Sequence, residues 1–203
     1  MDLDSRLRPV RDEPNPVALH RIPPGPVPLQ IDQVIRYAVP IRVVRTLIIY
    51  HSHSGRTHAL AEQVCDASGG DLVEVKPQTP YRMLSVYSRG TSRARHREAD
   101  AIDPAVIDAA AYDRIVIGTP VWGGHPTPVI NGAVAALQGA EGKSAVHFAT
   151  CGYSPGESFP VLRTALAARG VNVIGEFSFA RKELGDIARI GALVEAVRGG
   201  ESG

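Results

Sequence analysis

Cysteine is almost absent from this chain, with only Cys65 and Cys151 in 203 residues. Two thiols cannot build a disulfide framework, so a reducing, cytoplasmic setting is expected. Long apolar runs are missing as well, and no stretch reaches the length that crosses a bilayer, so no membrane role is expected. Met1 to Val10 interleaves acids with arginines and holds no apolar segment of the kind that targets a chain for export. Charge of one sign is also lacking. Lys and Arg number 22 against 21 for Asp and Glu, a net charge of +1, which gives no global field to attract nucleic acid. Aromatic residues make up 5% of the chain and Trp122 is the one tryptophan, so its surroundings carry information.

What is present is enough apolar material, 44% of residues, for one domain with a proper core. The composition divides the chain. Residues 1–42 hold half of the 16 prolines, in stretches such as Pro23-Pro24-Gly25-Pro26-Val27-Pro28, and read as an arm rather than a domain. Within the arm, Ile31, Val34, Ile35 and Ala38 have helical spacing. From residue 43 to 198, short apolar runs alternate with amphipathic segments, the signature of a parallel sheet covered on both faces. Residues 199–203 read as a flexible tail.

Five strands are expected, at Val43 to Tyr50, Leu72 to Val75, Arg114 to Gly118, Ser144 to Thr150 and Val171 to Phe177. Three helical faces lie between them. These are Leu60, Ala61, Val64 and Cys65; Val129, Ile130, Ala133, Val134 and Leu137; and Phe159, Leu162, Ala165 and Leu166, closed by Gly170. A last helix begins after Asp186 as N-cap, with Ile187, Ile190, Leu193, Val194 and Val197 on its buried side. Between the second and third strands, Pro77 to Asp103 suggests a helix through Tyr81, Leu84 and Tyr87. A basic excursion with Arg82, Arg89, Arg93, Arg95, His96 and Arg97 follows.

In an open parallel sheet, ligands sit beyond the carboxyl ends of the strands, so the loops after strands one, three and four are the places to look. The first, His51-Ser52-His53-Ser54-Gly55-Arg56-Thr57, joins a strand to a helix and offers hydroxyls, a glycine and free backbone N–H groups. That is a site for a phosphate, with the helix dipole adding attraction. It lacks the lysine and spacing of a triphosphate loop and the glycines of a dinucleotide fingerprint, so a phosphomonoester fits better. The same residues would also serve as an ordinary capped turn. The second loop, Gly118-Thr119-Pro120-Val121-Trp122-Gly123-Gly124, can wall one side of a planar ligand, or Trp122 can plug the sheet edge. The third, Thr150-Cys151-Gly152-Tyr153, can bond the edge of a ring through backbone N–H groups. Tyr153 either lies on that ring's face or covers the helix beneath it.

These three loops, in this order, resemble the FMN-binding loops of the flavodoxin family, and the likeness spans about Val43 to Val197. Ser52-x-Ser54-Gly55-x-Thr57 is similar to the family's phosphate loop. Gly118-Thr119-Pro120-Val121-Trp122 is similar to the loop that walls the isoalloxazine, and Phe148-Ala149-Thr150-Cys151-Gly152 to the loop at its pyrimidine edge. The resemblance implies a flavodoxin-like α/β fold, a doubly wound five-stranded parallel sheet in the order 2-1-3-4-5. It also implies an FMN-dependent redox protein of flavodoxin or NAD(P)H-dependent reductase type, without a catalytic side chain. The cofactor-binding residues it implies are Ser52, His53, Ser54, Gly55, Arg56 and Thr57 for the phosphate; Thr119, Pro120, Val121, Trp122 and Gly123 for one face; and Thr150, Cys151, Gly152 and Tyr153 for the ring edge. NAD(P)H as donor, and a redox protein or small acceptor such as a quinone as partner, belong to the same implication, with a homodimer open. The rival reading is a non-catalytic flavodoxin-fold module that binds a phosphorylated ligand or a partner protein. Arg56 stands where family loops often carry Asn, and His53, Arg56 and His58 add positive charge. Alternate histidines after a strand can also chelate a metal, but hydroxyls and Arg56 surround them, so no metal is expected.

Overall fold

The computed structural model describes residues 44–81 and 86–199, the side chains of 86 and 87 excepted. The proline-rich arm, its helix at 31–38, Arg82, Leu84 and residues 200–203 lie outside the described residues. Five parallel strands, β1 (Thr46–Tyr50), β2 (Asp71–Glu74), β3 (Arg114–Trp122), β4 (Ser144–Cys151) and β5 (Asn172–Ala180), stand in the order β2-β1-β3-β4-β5. This is the expected order. Thr46-Leu47-Ile48-Ile49-Tyr50 is buried along its whole length because helices cover both faces of the sheet at its centre.

The strand period of two sorts the core into two layers. Leu47, Ile49, Ile115 and Ile117 point to one face, where helices α3 (Pro128–Ala136) and α4 (Ser158–Ala167) add Val129, Ile130, Leu162 and Leu166. Ile48, Tyr50, Val116, Val146 and Phe148 point to the other, against Leu60 and Val64 of α1 (Arg56–Ser68) and Leu193 and Val197 of α5 (Ile187–Arg198). Each fully buried aliphatic side chain contributes about 1.5–3 kcal/mol. His147 of β4 is buried among them. It stacks on Phe159 with ring centroids 5.0 Å apart and bonds Glu176 Oε1 through Nε2 at 2.9 Å, while Arg163 holds the other side of that carboxylate.

Two features depart from the sequence expectation. First, β3 does not stop at Gly118 but runs to Trp122 and folds back through Gly123-Gly124 into the antiparallel pair His125–Pro126. Gly123 and Gly124 have φ of +60° and +85°, the two positive values that a type I′ hairpin turn demands. Second, Ile187 is 85% exposed rather than buried. It follows the cap at the first helical position, where the chain still points away from the sheet. Between β2 and β3, among the described residues, Lys76–Pro77 pairs with Ile102–Asp103, and a wide turn, Val86–Gly90, runs into the short helix α2 (Thr91–Arg95); the expected helix through Tyr81, Leu84 and Tyr87 runs across residues 82–85, which lie outside those described.

Asp186 caps α5 as its sequence position suggests, accepting from the backbone N–H groups of Ala188 at 3.0 Å and Arg189 at 3.2 Å. Asp186→Ala is expected to cost about 1 kcal/mol in urea unfolding, with Asp186→Asn retaining most of the stability. An unchanged midpoint for the alanine variant would show that the cap adds nothing.

Candidate functional site

The loops that follow β1, β3 and β4 meet at the carboxyl end of the sheet. After Tyr50 the chain passes through His51, whose N–H donates to the Gly118 carbonyl at 3.1 Å and ties the first loop to β3. The His51 Nδ1 lies 3.0 Å from the Val75 carbonyl. A carbonyl only accepts, so Nδ1 carries the proton and Nε2 is left as a buried acceptor with no protein partner. Burial is the main reason that the His51 pKa is lowered, with the neighbouring His53 adding to it, so His51 is neutral here near pH 7.

Beyond it, His53, Ser54, Gly55 and Arg56 are exposed, while Ser52 Oγ is buried and unpartnered. Gly55 sits at the N-cap of α1 with φ of +81°, and no side chain caps the helix. An uncapped helix start of this kind leaves its first N–H groups for an anion. Thr57, in the first turn, is 1% exposed, and its hydroxyl bonds that of Thr150 at 2.8 Å, which fastens the first loop to the third. His58 faces away from the loop, held by the Tyr50 hydroxyl at 2.6 Å and by Glu62 at 3.2 Å. Burial, followed by Glu74 and Glu62, pushes the Tyr50 pKa up to about 12.

In the second loop, Thr119 is buried and its hydroxyl accepts from the Thr127 N–H at 3.3 Å, while Thr127 caps α3 through Ile130 N–H. Pro120 and Val121 are half-buried and Gly123 is exposed. Trp122 is only 7% exposed. Its ring is met edge-on by Tyr81, His51 and His53 at centroid distances of 5.1, 6.0 and 5.9 Å. The indole is therefore wedged between the first loop and the basic segment, with Ala94 packed beside it.

The third loop continues β4. Thr150 is buried, Cys151 half-buried, and Gly152 and Tyr153 are exposed, Tyr153 at 95%. Cys151 Sγ lies 3.7 Å from the Phe179 carbonyl, and burial raises its pKa. Thiolate reactivity is thereby suppressed. The Glu157 N–H donates to the Gly124 carbonyl at 2.6 Å, joining third loop to second. All fifteen candidate residues thus lie at the carboxyl ends of β3 and β4, in the loops that follow β1, β3 and β4, or in the first turn of α1, and these segments are bonded to one another.

Sequence reasoning missed Tyr81 and His125. Tyr81 is held by Asp100, to which it donates at 2.8 Å, and by Arg93 at 3.0 Å. Burial first, then Asp100, pushes its pKa up to about 12. His125 lies in the hairpin with a buried, unpartnered Nδ1, and burial, then Arg97, lowers its pKa. His125 stands close behind the tryptophan in sequence, whereas no sequence signal ties the distant Tyr81 to it. No cluster of three or more His, Cys, Asp or Glu that could hold a metal occurs among the described residues, and none of the described helices is long and apolar enough to cross a membrane.

A doubly wound α/β chain with an uncapped helix start and a buried, unpartnered hydroxyl at the end of its first strand defines a class, and comparison with known proteins narrows it. Residues 45–164, more than half of the chain, match the family model for flavodoxin. The chain belongs to the flavodoxin family. Among solved structures it is similar to a candidate flavoprotein of Bacteroides eggerthii, at 26% identity and a TM-score of 0.62, over 76% of this chain and 98% of that one. It is also similar in fold to a flavoprotein of Lactobacillus acidophilus crystallised with FMN, at 24% identity and a TM-score of 0.58, over 71% of this chain and 99% of that one. No curated protein matches the sequence.

His51, His125 and His147 all have pKa values lowered by burial, so the unfolded chain takes up protons more readily than the folded one. Their contribution to stability is present above the unfolded value of about 6.5 and is lost as pH falls below it. Urea midpoints measured from about pH 7.5 down to about 5.5 should decline, and His51→Gln should flatten that decline. A midpoint that does not move over this range contradicts the assignment of buried neutral histidines.

Proposed function

We propose that this protein binds one FMN at the three joined loops and moves electrons through it. The observation that carries the reading is the start of α1. It is uncapped, its Gly55 is left-handed, and the buried Ser52 hydroxyl beside it has no protein partner. A buried hydroxyl without a hydrogen bond costs about 1–3 kcal/mol, and a phosphate oxygen would satisfy it. The residues fit the group. Ser52, Ser54 and Thr57 supply hydroxyls, the first turn of α1 supplies N–H groups, and Arg56 and His53 stand at the exposed rim.

The ring is assigned to the space between the second and third loops. There, backbone around Thr119 to Gly123 forms one wall, and Thr150 to Gly152 offers N–H groups to its edge. Tyr153 is the aromatic with a free face, while the buried Trp122 acts as a prop that fixes the wall. Bound flavin supplies the redox chemistry, accepting and returning electrons. The chain's own part is to bind the phosphate, to orient the ring, and to set the charge around it. Carboxylates are scarce there, Glu157 being the one on these loops, so the protein disfavours negative charge on the ring less than an acidic flavodoxin would. The donor is assigned as NAD(P)H or a redox protein.

The test is a comparison of FMN with riboflavin, followed by quenching of flavin fluorescence in the full chain. Because the phosphate site dominates, FMN should bind at least about tenfold more tightly than riboflavin. Thr57→Val, which removes the hydroxyl that links the loops, should weaken FMN by about fivefold to fiftyfold and leave riboflavin nearly unchanged. Equal affinities for the two flavins would overturn the phosphate assignment. No quenching by either would leave the loops to a different phosphorylated ligand.

A further inference from the structure

On the far side of the third loop lies a cavity of about 720 Å³, lined by Gly152, Tyr153, Ala180, Arg181, Lys182 and Glu183. Its volume lies in the range of small-molecule sites. The floor is a short helical turn, Arg181–Glu183, between β5 and α5, and this turn is fixed. Glu183 Oε2 accepts from the Ala180 N–H at 2.9 Å, and its other oxygen lies 3.4 Å from Arg189 Nη1. The Glu183 carbonyl also accepts from the Asp186 N–H at 3.0 Å, so the turn is locked to the cap of α5.

The consequence for charge is specific. The one carboxylate of the cavity is occupied by Ala180 and Arg189, while Arg181 and Lys182 are exposed and have no carboxylate within ion-pair distance among the described residues. Two cations with no ion pair among the described residues therefore line the same cavity as an aromatic ring that is 95% exposed. A neutral or cationic ligand would leave those charges unanswered. A flat ligand with a carboxylate, sulfonate or phosphate answers both features at once, because it can lie on Tyr153 and place its anion between Arg181 and Lys182.

We propose that this cavity is a binding site for a small planar aromatic or quinonoid anion. It rests on the flavin reading only in the role assigned to that ligand, a quinonoid acceptor that takes two electrons and two protons from reduced FMN and becomes the hydroquinone while the flavin is reoxidised. Binding itself does not depend on flavin.

The experiment is equilibrium dialysis of the full chain, with and without added FMN, using anthraquinone-2-sulfonate and its uncharged counterpart 2-(hydroxymethyl)anthraquinone as probes. The sulfonate is expected to bind about tenfold more tightly than the neutral probe, and Arg181→Gln combined with Lys182→Gln should abolish that preference. Tyr153→Ala should weaken both probes alike. Lys76→Gln, which removes the same charge from a site paired with Glu74 at 3.0 Å, should leave the preference intact. Equal affinity of the two probes for the unmodified protein, or a preference that survives the double substitution, overturns the proposal. Displacement of bound FMN by the sulfonate, one for one, also overturns it, since the probe would then occupy the flavin's own place. Should FMN fail to bind in the parallel fluorescence measurement, the flavin reading falls, while dialysis of the FMN-free protein still decides the cavity.

Discussion

Parallel strands cannot be joined by tight turns, and this constraint organises the molecule. Each of β1, β3 and β4 must hand the chain to a helix or a longer excursion before the next strand begins, so their exits gather at one end of the sheet. The neighbouring register of β1 and β3, Tyr50 opposite Gly118, brings the first two exits together. That of β3 and β4, Pro120 opposite Thr150, does the same for the second and third. Local bonds then lock what topology has assembled. The Thr57 and Thr150 hydroxyls join first loop to third, and the Glu157 N–H joins third to second through Gly124.

Within that frame the site has an unequal distribution of satisfied and unsatisfied groups. Groups that hold the scaffold are paired: Tyr50 with His58, Thr119 with Thr127, Tyr81 with Asp100. Ser52 Oγ has no protein partner and no side chain caps the start of α1, the two features on which the proposed phosphate site rests. Buried polar groups are rarely left unsatisfied in a folded protein without a ligand, water or function to account for them. The electrostatics follow the same division. Arg93 is consumed by Glu98 and Asp100, whereas Arg181 and Lys182 form no ion pair among the described residues.

Much of this was legible in the sequence because it depends on short-range pattern. The run Thr46 to Tyr50 is buried throughout since both faces are covered, and the hydroxyl-rich exit after it raises the expectation of an anion site that the proposed function takes up. The end of β3 was not legible. Pro120 reads as a strand breaker, yet Thr119 to Trp122 extend the strand because the positive φ of Gly123 and Gly124 turns the chain back on itself, making a hairpin arm there. The fate of Trp122 was hidden for another reason. Its burial depends on Tyr81, a residue far away in sequence that reaches it only after the excursion between β2 and β3 has folded across. Ile187 shows a third limit, since helical periodicity marks a face but not where that face begins to touch the sheet.

The central claim is that three joined loops hold one FMN that can be reduced and reoxidised in place. Its most direct test is the visible spectrum of the purified protein after addition of FMN and removal of the unbound excess, followed by anaerobic reduction and readmission of air. The account predicts a yellow protein with one flavin per chain, bleached on reduction and restored by oxygen with the flavin still attached. A colourless protein after removal of excess FMN would contradict it.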